Sequence, residues 1–378
     1  MAAAAAAEER DGALSLAEFH ATRAGVRGLV DSGITTVPPL FLAPPPGYYT
    51  PSSTTASSLA TIPTVDLSLP RAATVALVRA AARSHGFFHV TNHGVPPSTV
   101  SSAVSAIHAF HDHPSSTTTR TACYSLASVG GVSYATIPIQ YSPQFPTPSP
   151  VLPWRDTLVV RFGSGDAPPD LARLPADCRD ALQEYHRALV GIGREIAGLL
   201  SEALGVGEER LEREMKVDGS LMVCHYYPPC PEPEKVVGSR EHTDPSLFTV
   251  LAQDHVGGLQ VWQEEEDGGG GEWVDVAPVA GALLVNIGDV LKVVSNDEYK
   301  SVEHRVVLKS SEEARVTIAL FFNPAKRDAS DLFGPLEELV TTERPARYRC
   351  FSMLEFMRSR RESGHGKSIV DSFKIVAD

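Results

Sequence analysis

The chain has 378 residues, 43% of them hydrophobic, which is enough to bury a large core in one domain or two closely joined ones. Its formal charge is −13, from 33 Lys and Arg against 46 Asp and Glu, and no basic run interleaved with aromatics would follow a phosphate backbone, so a nucleic-acid partner is not expected. Cys123, Cys178, Cys224, Cys230 and Cys350 form no CxxC pair and leave one over, the run after Met1 lacks a basic flank and stops at Glu8, and no uncharged apolar stretch nears twenty residues; a cytoplasmic, monomeric protein with no membrane partner is expected.

Residues 1–13 read as disordered, 14–33 as helical and 37–60 as a Pro- and Ser/Thr-rich connector, so 1–60 is taken as an N-terminal extension. From Ile62 a strand leads into a helix at about Ala72 to Ser84. FFHVTN returns as a strand, and after the turn at Val95, Pro96 and Pro97 a helix runs to near Pro114. Ser115 to Pro153 is too polar for core and too long for a plain connection, the character of a loop that covers an active site. Tyr134, Ile137 and Phe145 in it are candidate substrate contacts. A long amphipathic helix from about Pro175 to Leu204, stopped by Gly205, ends a mixed α/β region assigned to 61–210.

Apolar segments at strand spacing then follow: LMVCHYY, a short piece before His242, LFTVLAQ, LQVWQ, EWVDV, ALLVNI, SVEHRVV and RVTIALFF. Eight antiparallel strands in two facing sheets make a jelly roll with ligand space at its mouth. The fold class expected is mixed α/β with an all-β core, a cupin-like double-stranded β-helix over 211–326 flanked by the N-terminal mixed region. EEEDGGGGE would be an exposed hairpin loop. In the C-terminal segment, 327–378, a helix from about Cys350 to Arg361 would dock Phe351, Leu354 and Phe356 on the barrel and border the pocket.

Within these strands EHTDPSLFTV sets His242 and Asp244 two positions apart, on one face of an extended chain, and His304 follows sixty residues after Asp244 in SVEHRVV. Two neutral imidazoles and a carboxylate on one face of octahedral Fe(II) leave three positions for a chelating co-substrate and O₂. In RVTIALFF, Arg315, Thr317 and Phe321 share a face of a strand that is apolar on both sides. The buried guanidinium calls for an anion that Thr317, and Tyr227 from LMVCHYY, can also bond; a dicarboxylate such as 2-oxoglutarate fits. No side chain beyond the iron ligands is needed as a catalytic acid or base. Phe321 should line the substrate side and stack on an aromatic or heterocyclic ring. Val223 leaves its wall apolar, which argues against an extra anionic group on the substrate.

Other signals carry less. His108, His111 and His113 lie at a polar helix end without a carboxylate set beyond Asp112, the glycines of GIGREIAG sit inside a helix, and no G-x-S-x-G elbow occurs. Asp289 in VNIGDVL reads as a tight turn in preference to support for an iron-bound histidine.

Through HYYPPCPEP, EHTDPSLFTVLAQDHVGGLQVW, VNIGDVLKVVSNDEYKSVEHRVV and RVTIALFF, and upstream through IPTVDL, GFFHVTNHGVP and WRDTL, the chain resembles the plant 2-oxoglutarate- and Fe(II)-dependent dioxygenases over roughly residues 25 to 365. The opening GVRGLVDSGITTVPPLF resembles the branch of 1-aminocyclopropane-1-carboxylate oxidase homologues, which includes enzymes that hydroxylate benzoxazinoid glucosides. The resemblance implies oxidation, chiefly hydroxylation, of a small plant specialised metabolite such as a benzoxazinoid glucoside, with release of CO₂ and succinate and with ascorbate as a reductant. Two departures stand out: the family's Arg-x-Ser is Arg315-Val316-Thr317 here, and the Asn before its Tyr-Tyr pair is His225. The alternatives are an ascorbate-dependent oxidase of the ethylene-forming type and a jelly roll that binds a small ligand without turnover.

Overall fold

The structure is a computed structural model that describes residues 14–43, 62–113, 116–136, 151–163, 168–215, 220–264, 270–324, 331–363 and 368–375. Its strands are β1 (Thr64–Asp66), β2 (Phe87–Thr91), β3 (Ser125–Val129), β4 (Val132–Ala135), β5 (Asp156–Phe162), β6 (Ser220–Tyr227), β7 (Ser239–His242), β8 (Phe248–Gln253), β9 (Leu259–Glu264), β10 (Gly271–Asp275), β11 (Leu283–Ile287), β12 (His304–Val306) and β13 (Arg315–Phe322), followed by a two-stranded ribbon of β14 (Leu332–Phe333) and β15 (Phe351–Ser352). The helices are α1 (Leu16–Thr22), α2 (Gly25–Asp31), α3 (Arg71–Ser84), α4 (Pro97–Asp112), α5 (Ser116–Cys123), α6 (Ala176–Leu204), α7 (Arg210–Met215), α8 (Asp289–Val294) and α9 (Met353–Glu362).

The eight expected strands are β6 to β13, and they divide four and four. One sheet has the order β10-β9-β12-β7, and β11, β8, β13 and β6 form the middle of a nine-stranded sheet ordered β1-β2-β11-β8-β13-β6-β5-β4-β3. This is the jelly roll, with strands from the N-terminal half continuing one of its sheets on both sides.

The two-residue period of β13 explains why the large sheet has two unlike faces. Val316, Ile318, Leu320 and Phe322 join the main apolar core beneath α3, α4 and α6. Arg315, Thr317, Ala319 and Phe321 face a cavity between the two sheets. Gly193 on α6 lets Phe322 in, since a Cβ there would stand 2.2 Å from the ring. Helix α6 ends as its sequence suggests, on Gly205 at φ 82° in the left-handed region.

Three expectations need correction. The span 14–33 forms two helices, broken at Arg23, whose φ of 53° cannot continue a helix. Ser115 to Pro153 is not a plain covering loop: it contains α5 and the hairpin β3–β4, which extends the large sheet beside β5. Of the three residues named for the C-terminal helix, Phe356 and Phe351 are buried, though Phe351 belongs to β15, while Leu354 of α9 is 51% exposed. The expected disorder of 1–13, most of the 37–60 connector and the tip of the hairpin loop at 265–269 lie outside the described residues.

The N-terminal helices are fastened by one buried acid. Asp156 accepts hydrogen bonds from the backbone N–H groups of Val26 and Arg27, in the first turn of α2, and from the Thr136 hydroxyl. A carboxylate at that helix end also meets the positive end of the helix dipole.

Candidate active site

His242 and His304 are direct cross-strand neighbours in the antiparallel pair β7–β12, which brings their rings to 4.2 Å between centroids. The chain leaves β7 at His242, so Asp244 lies just past the strand rather than within it as expected. Thr243 between them turns the other way, its hydroxyl donating to Asp289 at 2.8 Å. Asp244 Oδ1 stands 3.7 Å from His242 Nε2 and 3.6 Å from His304 Nε2. Two ligands each about 2.1 Å from one ion are at most about 4.2 Å apart, so these separations suit a bound metal.

Hydrogen bonds behind these atoms aim them. Backbone carbonyls only accept, so His242 Nδ1 donates to Arg240 O at 2.7 Å and His304 Nδ1 to Val302 O at 3.2 Å, leaving each Nε2 lone pair free. Asp244 Oδ2 accepts from Thr249 Oγ1 at 2.6 Å and Asn286 Nδ2 at 2.8 Å, so Oδ1 is the oxygen turned to the histidines. Burial, with His304 alongside, drives the His242 pKa far down, keeping the imidazole neutral as a metal requires. Burial opposes the Asp244 charge, but the two imidazoles and the bonds from Asn286 and Thr249 outweigh it and hold the carboxyl below its ordinary range. The histidine and aspartate side chains converge on one point in a pattern of two imidazoles and one carboxylate.

Asp289 is the first residue of α8, not part of a tight turn. Its carboxylate accepts from Thr243 and Ser301 and faces Arg360 Nη1 at 3.5 Å, so it braces the residue between the two ligands of β7 and its end.

The cavity holds about 590 Å³, room for a co-substrate and a second small molecule. Cross-strand rows of the large sheet build its floor. Thr157, His225 and Thr317 form one row, Val159, Val223 and Ala319 the next, and Leu221, Phe321, Thr249 and Asn286 a third. Phe321 thus lies level with the two residues that bond Asp244. Beyond the first row stand Arg315 and its partner Tyr227, whose ring lies 5.0 Å from the guanidinium carbon. Arg315 is 4% exposed, with Nε and Nη1 buried and without partners among the described residues. These buried donors call for an acceptor from a bound ligand.

Of the expected contacts, Phe321 and Val223 line this cavity and Tyr134 does not. Tyr134 pairs with Leu158 in β4–β5, and cross-strand partners share a face; that face is the helix side, where Tyr134 meets Phe110 edge-on at 5.2 Å. Ile137 and Phe145 lie outside the described residues. His225 bonds the Thr157 hydroxyl through Nδ1 at 3.1 Å, and burial, reinforced by Arg155 and Arg315, pushes its pKa well below the usual value. Sequence reasoning missed Arg155, Arg240 and Arg360 in the cavity wall, and Met353 and Met357 of α9 at its rim. The period-two run Arg155, Thr157, Val159 and Arg161 was the available signal for the first.

The fold and the metal-competent triad define a non-haem iron oxygenase. The 2OG-Fe(II) oxygenase superfamily model matches residues 219–324, and that of the non-haem dioxygenase in morphine synthesis N-terminal region matches 62–162. Two Arabidopsis thaliana proteins are similar over nearly their whole length. They are 1-aminocyclopropane-1-carboxylate oxidase homolog 4, 38% identical over 92% of this chain and 94% of the relative, and homolog 11, 36% identical over 94% and 96%. Among solved structures, JOX2 in complex with 2OG, Fe and JA aligns with a TM-score of 0.76 and 29% identity, covering 93% of this chain and 98% of the other. The rice dioxygenase for auxin oxidation aligns at 0.67 and 26%, covering 83% and 100%. The chain belongs to the 2OG-Fe(II) oxygenase superfamily, in its plant branch beside the 1-aminocyclopropane-1-carboxylate oxidase homologues. It is a dioxygenase whose cofactors are Fe(II) and 2-oxoglutarate.

Proposed function

We propose that this dioxygenase hydroxylates a small aromatic or heterocyclic specialised metabolite, with 2-oxoglutarate converted to succinate and CO₂. In this reading His242, Asp244 and His304 hold the iron, and Arg315, Thr317 and Tyr227 hold the distal carboxylate of 2-oxoglutarate. The observation that carries the substrate assignment is the place of Phe321, in the same row as Thr249 and Asn286 and so beside the metal ligands, with Leu221 next to it. A ring stacked there presents its edge to the iron side of the cavity.

When bound, the iron supplies the redox chemistry that activates O₂. The protein's residues supply position. Nδ1–H donors to carbonyls fix both imidazoles, Thr249 and Asn286 fix the carboxylate, and Arg315 on a rigid central strand sets the depth of the co-substrate. Val159, Val223 and Ala319 keep water from the floor between them. Benzoxazinoid glucosides are one class within this proposal. No helix among the described residues is long and apolar enough to cross a membrane, and we place the protein as a monomer in the cytoplasm.

The test is succinate release from 2-oxoglutarate by the iron-loaded protein with ascorbate present, across plant phenolics, indoles and benzoxazinoid glucosides. A compound that stimulates succinate and returns with one added oxygen supports the proposal. Stimulation by none of these classes would sink it.

A further inference from the structure

We propose that Arg155 is the subsite for an acidic group on the substrate, so that the substrate is an aromatic or heterocyclic carboxylic acid; this deepens, and rests on, the oxygenase reading above. The residue's neighbours show that it is aimed. Trp154 is fully buried and donates its indole N–H to Pro228 O at 3.2 Å, while Asp156 turns to the opposite face of β5 and is occupied by Val26, Arg27 and Thr136. Held between two fixed side chains, Arg155 faces the cavity.

The residue is 8% exposed, its Nε is buried with no hydrogen-bond partner, and it makes no ion pair with the described residues. Elsewhere the chain pairs such a group: Arg120, 1% exposed, meets Asp31 at 2.8 Å. An ion buried without a partner costs several kcal/mol, so a fold that keeps one facing a ligand cavity keeps it for an anion.

That anion is not 2-oxoglutarate. Its two carboxylates are matched by the metal and by Arg315, and Arg155 lies on the far side of β6 from Arg315, since the strand order is β13-β6-β5. Two strand spacings put the backbones about 10 Å apart. Tyr227 and His225 occupy the strand between, and His225 is kept neutral, so no third positive charge joins the two guanidiniums. The wall as a whole favours anions, with six arginines against Glu241 and Asp244. Val223 was expected to argue against an anionic group on the substrate, and this proposal departs from that expectation, because the apolar character is that of the row Val223 shares with Val159 and Ala319 and not of the whole wall. Arg161 stands one row beyond it toward Phe321, and Arg155 lies on the other side past Thr157, so an apolar body over this row whose acidic end reaches beyond Thr157 fits where a wholly neutral molecule leaves Arg155 unpaired.

The test uses the full-length protein loaded with iron and 2-oxoglutarate under argon, titrated calorimetrically with benzoate, phenylacetate, cinnamate and indole-3-acetate and with the carboxamide of each. The wild type should bind at least one acid about ten- to hundred-fold more tightly than its amide. Arg155→Gln should erase that preference and Arg155→Lys should restore part of it, with 2-oxoglutarate affinity and melting temperature unchanged in both. Equal binding of acids and amides, no binding of any acid, an intact preference in Arg155→Gln, or a defect confined to 2-oxoglutarate affinity would each overturn the proposal. Failure of the oxygenase reading would look different: acid-selective binding without succinate formed when O₂ is admitted.

Discussion

Removing the two donors behind Asp244 should weaken metal binding without touching a ligand. Thr249 and Asn286 both bond Oδ2, at 2.6 and 2.8 Å, and the carboxylate is only 3% exposed, so water cannot replace them without entering the core. A hydrogen bond to a charged group contributes about 1.5–3 kcal/mol. A partly relaxed Asp244 keeps some of that, so Thr249→Val or Asn286→Ala alone should cost about 1.4 kcal/mol, a tenfold rise in the Kd for Fe(II). Because both donors serve one oxygen, the double variant should fall short of full additivity, between about ten- and a hundred-fold. Anaerobic Fe(II) titration against a competing chelator reads this directly. A folded double variant that binds iron as the wild type does would show that the carboxylate is not oriented by these bonds.

Arg315→Ala removes a guanidinium whose Nε and Nη1 have no partner among the described residues, beside Thr317 and Tyr227. It should raise the 2-oxoglutarate requirement by about thirty-fold or more while iron loading stays intact, the scale of a buried charge pair losing one member; steady-state kinetics against 2-oxoglutarate checks it. Two glycines of α6 should respond with opposite signs in thermal melts. Gly193→Ala drives a Cβ toward Phe322 and should lower Tm, whereas Gly191 has open space around it, so Gly191→Ala should raise Tm through about 1 kcal/mol of helix propensity. His111 is fully buried, stacked on Tyr226 at 4.1 Å, and burial pushes its pKa down to about 3. The unfolded chain takes up a proton near pH 6.5 that the fold refuses, so below that pH the wild type should lose up to about 1.4 kcal/mol per unit more than His111→Phe, measured by urea unfolding at pH 7.5, 6.5 and 5.5.

Much of the jelly roll was legible because its strands alternate. RVTIALFF sends four side chains to the helices and four to the cavity, LMVCHYY sends three and four, and that period is written in the sequence. The convergence of His242 and His304 was readable as chemistry, but their direct cross-strand pairing depends on the register of β7 against β12, which no local pattern encodes. Tyr134 was misplaced for a related reason: its face is set by pairing with β5, and a segment rich in Ser, Thr and Pro conceals an edge hairpin. The role of Asp289 was obscured because a Gly-Asp pair opens a helix as readily as it makes a turn. Arg155 went unremarked in WRDTL because an arginine becomes informative only once its surroundings prove to hold no acid for it.

The most direct test of the account is O₂-dependent conversion of 2-oxoglutarate by protein loaded anaerobically with Fe(II), with succinate and CO₂ measured together. The wild type should release the two in equal amounts, and His304→Ala, whose imidazole is one of three groups converging on a single point, should release neither while remaining folded. Unequal yields, or a His304→Ala protein that turns over normally, would contradict the assignment of this site.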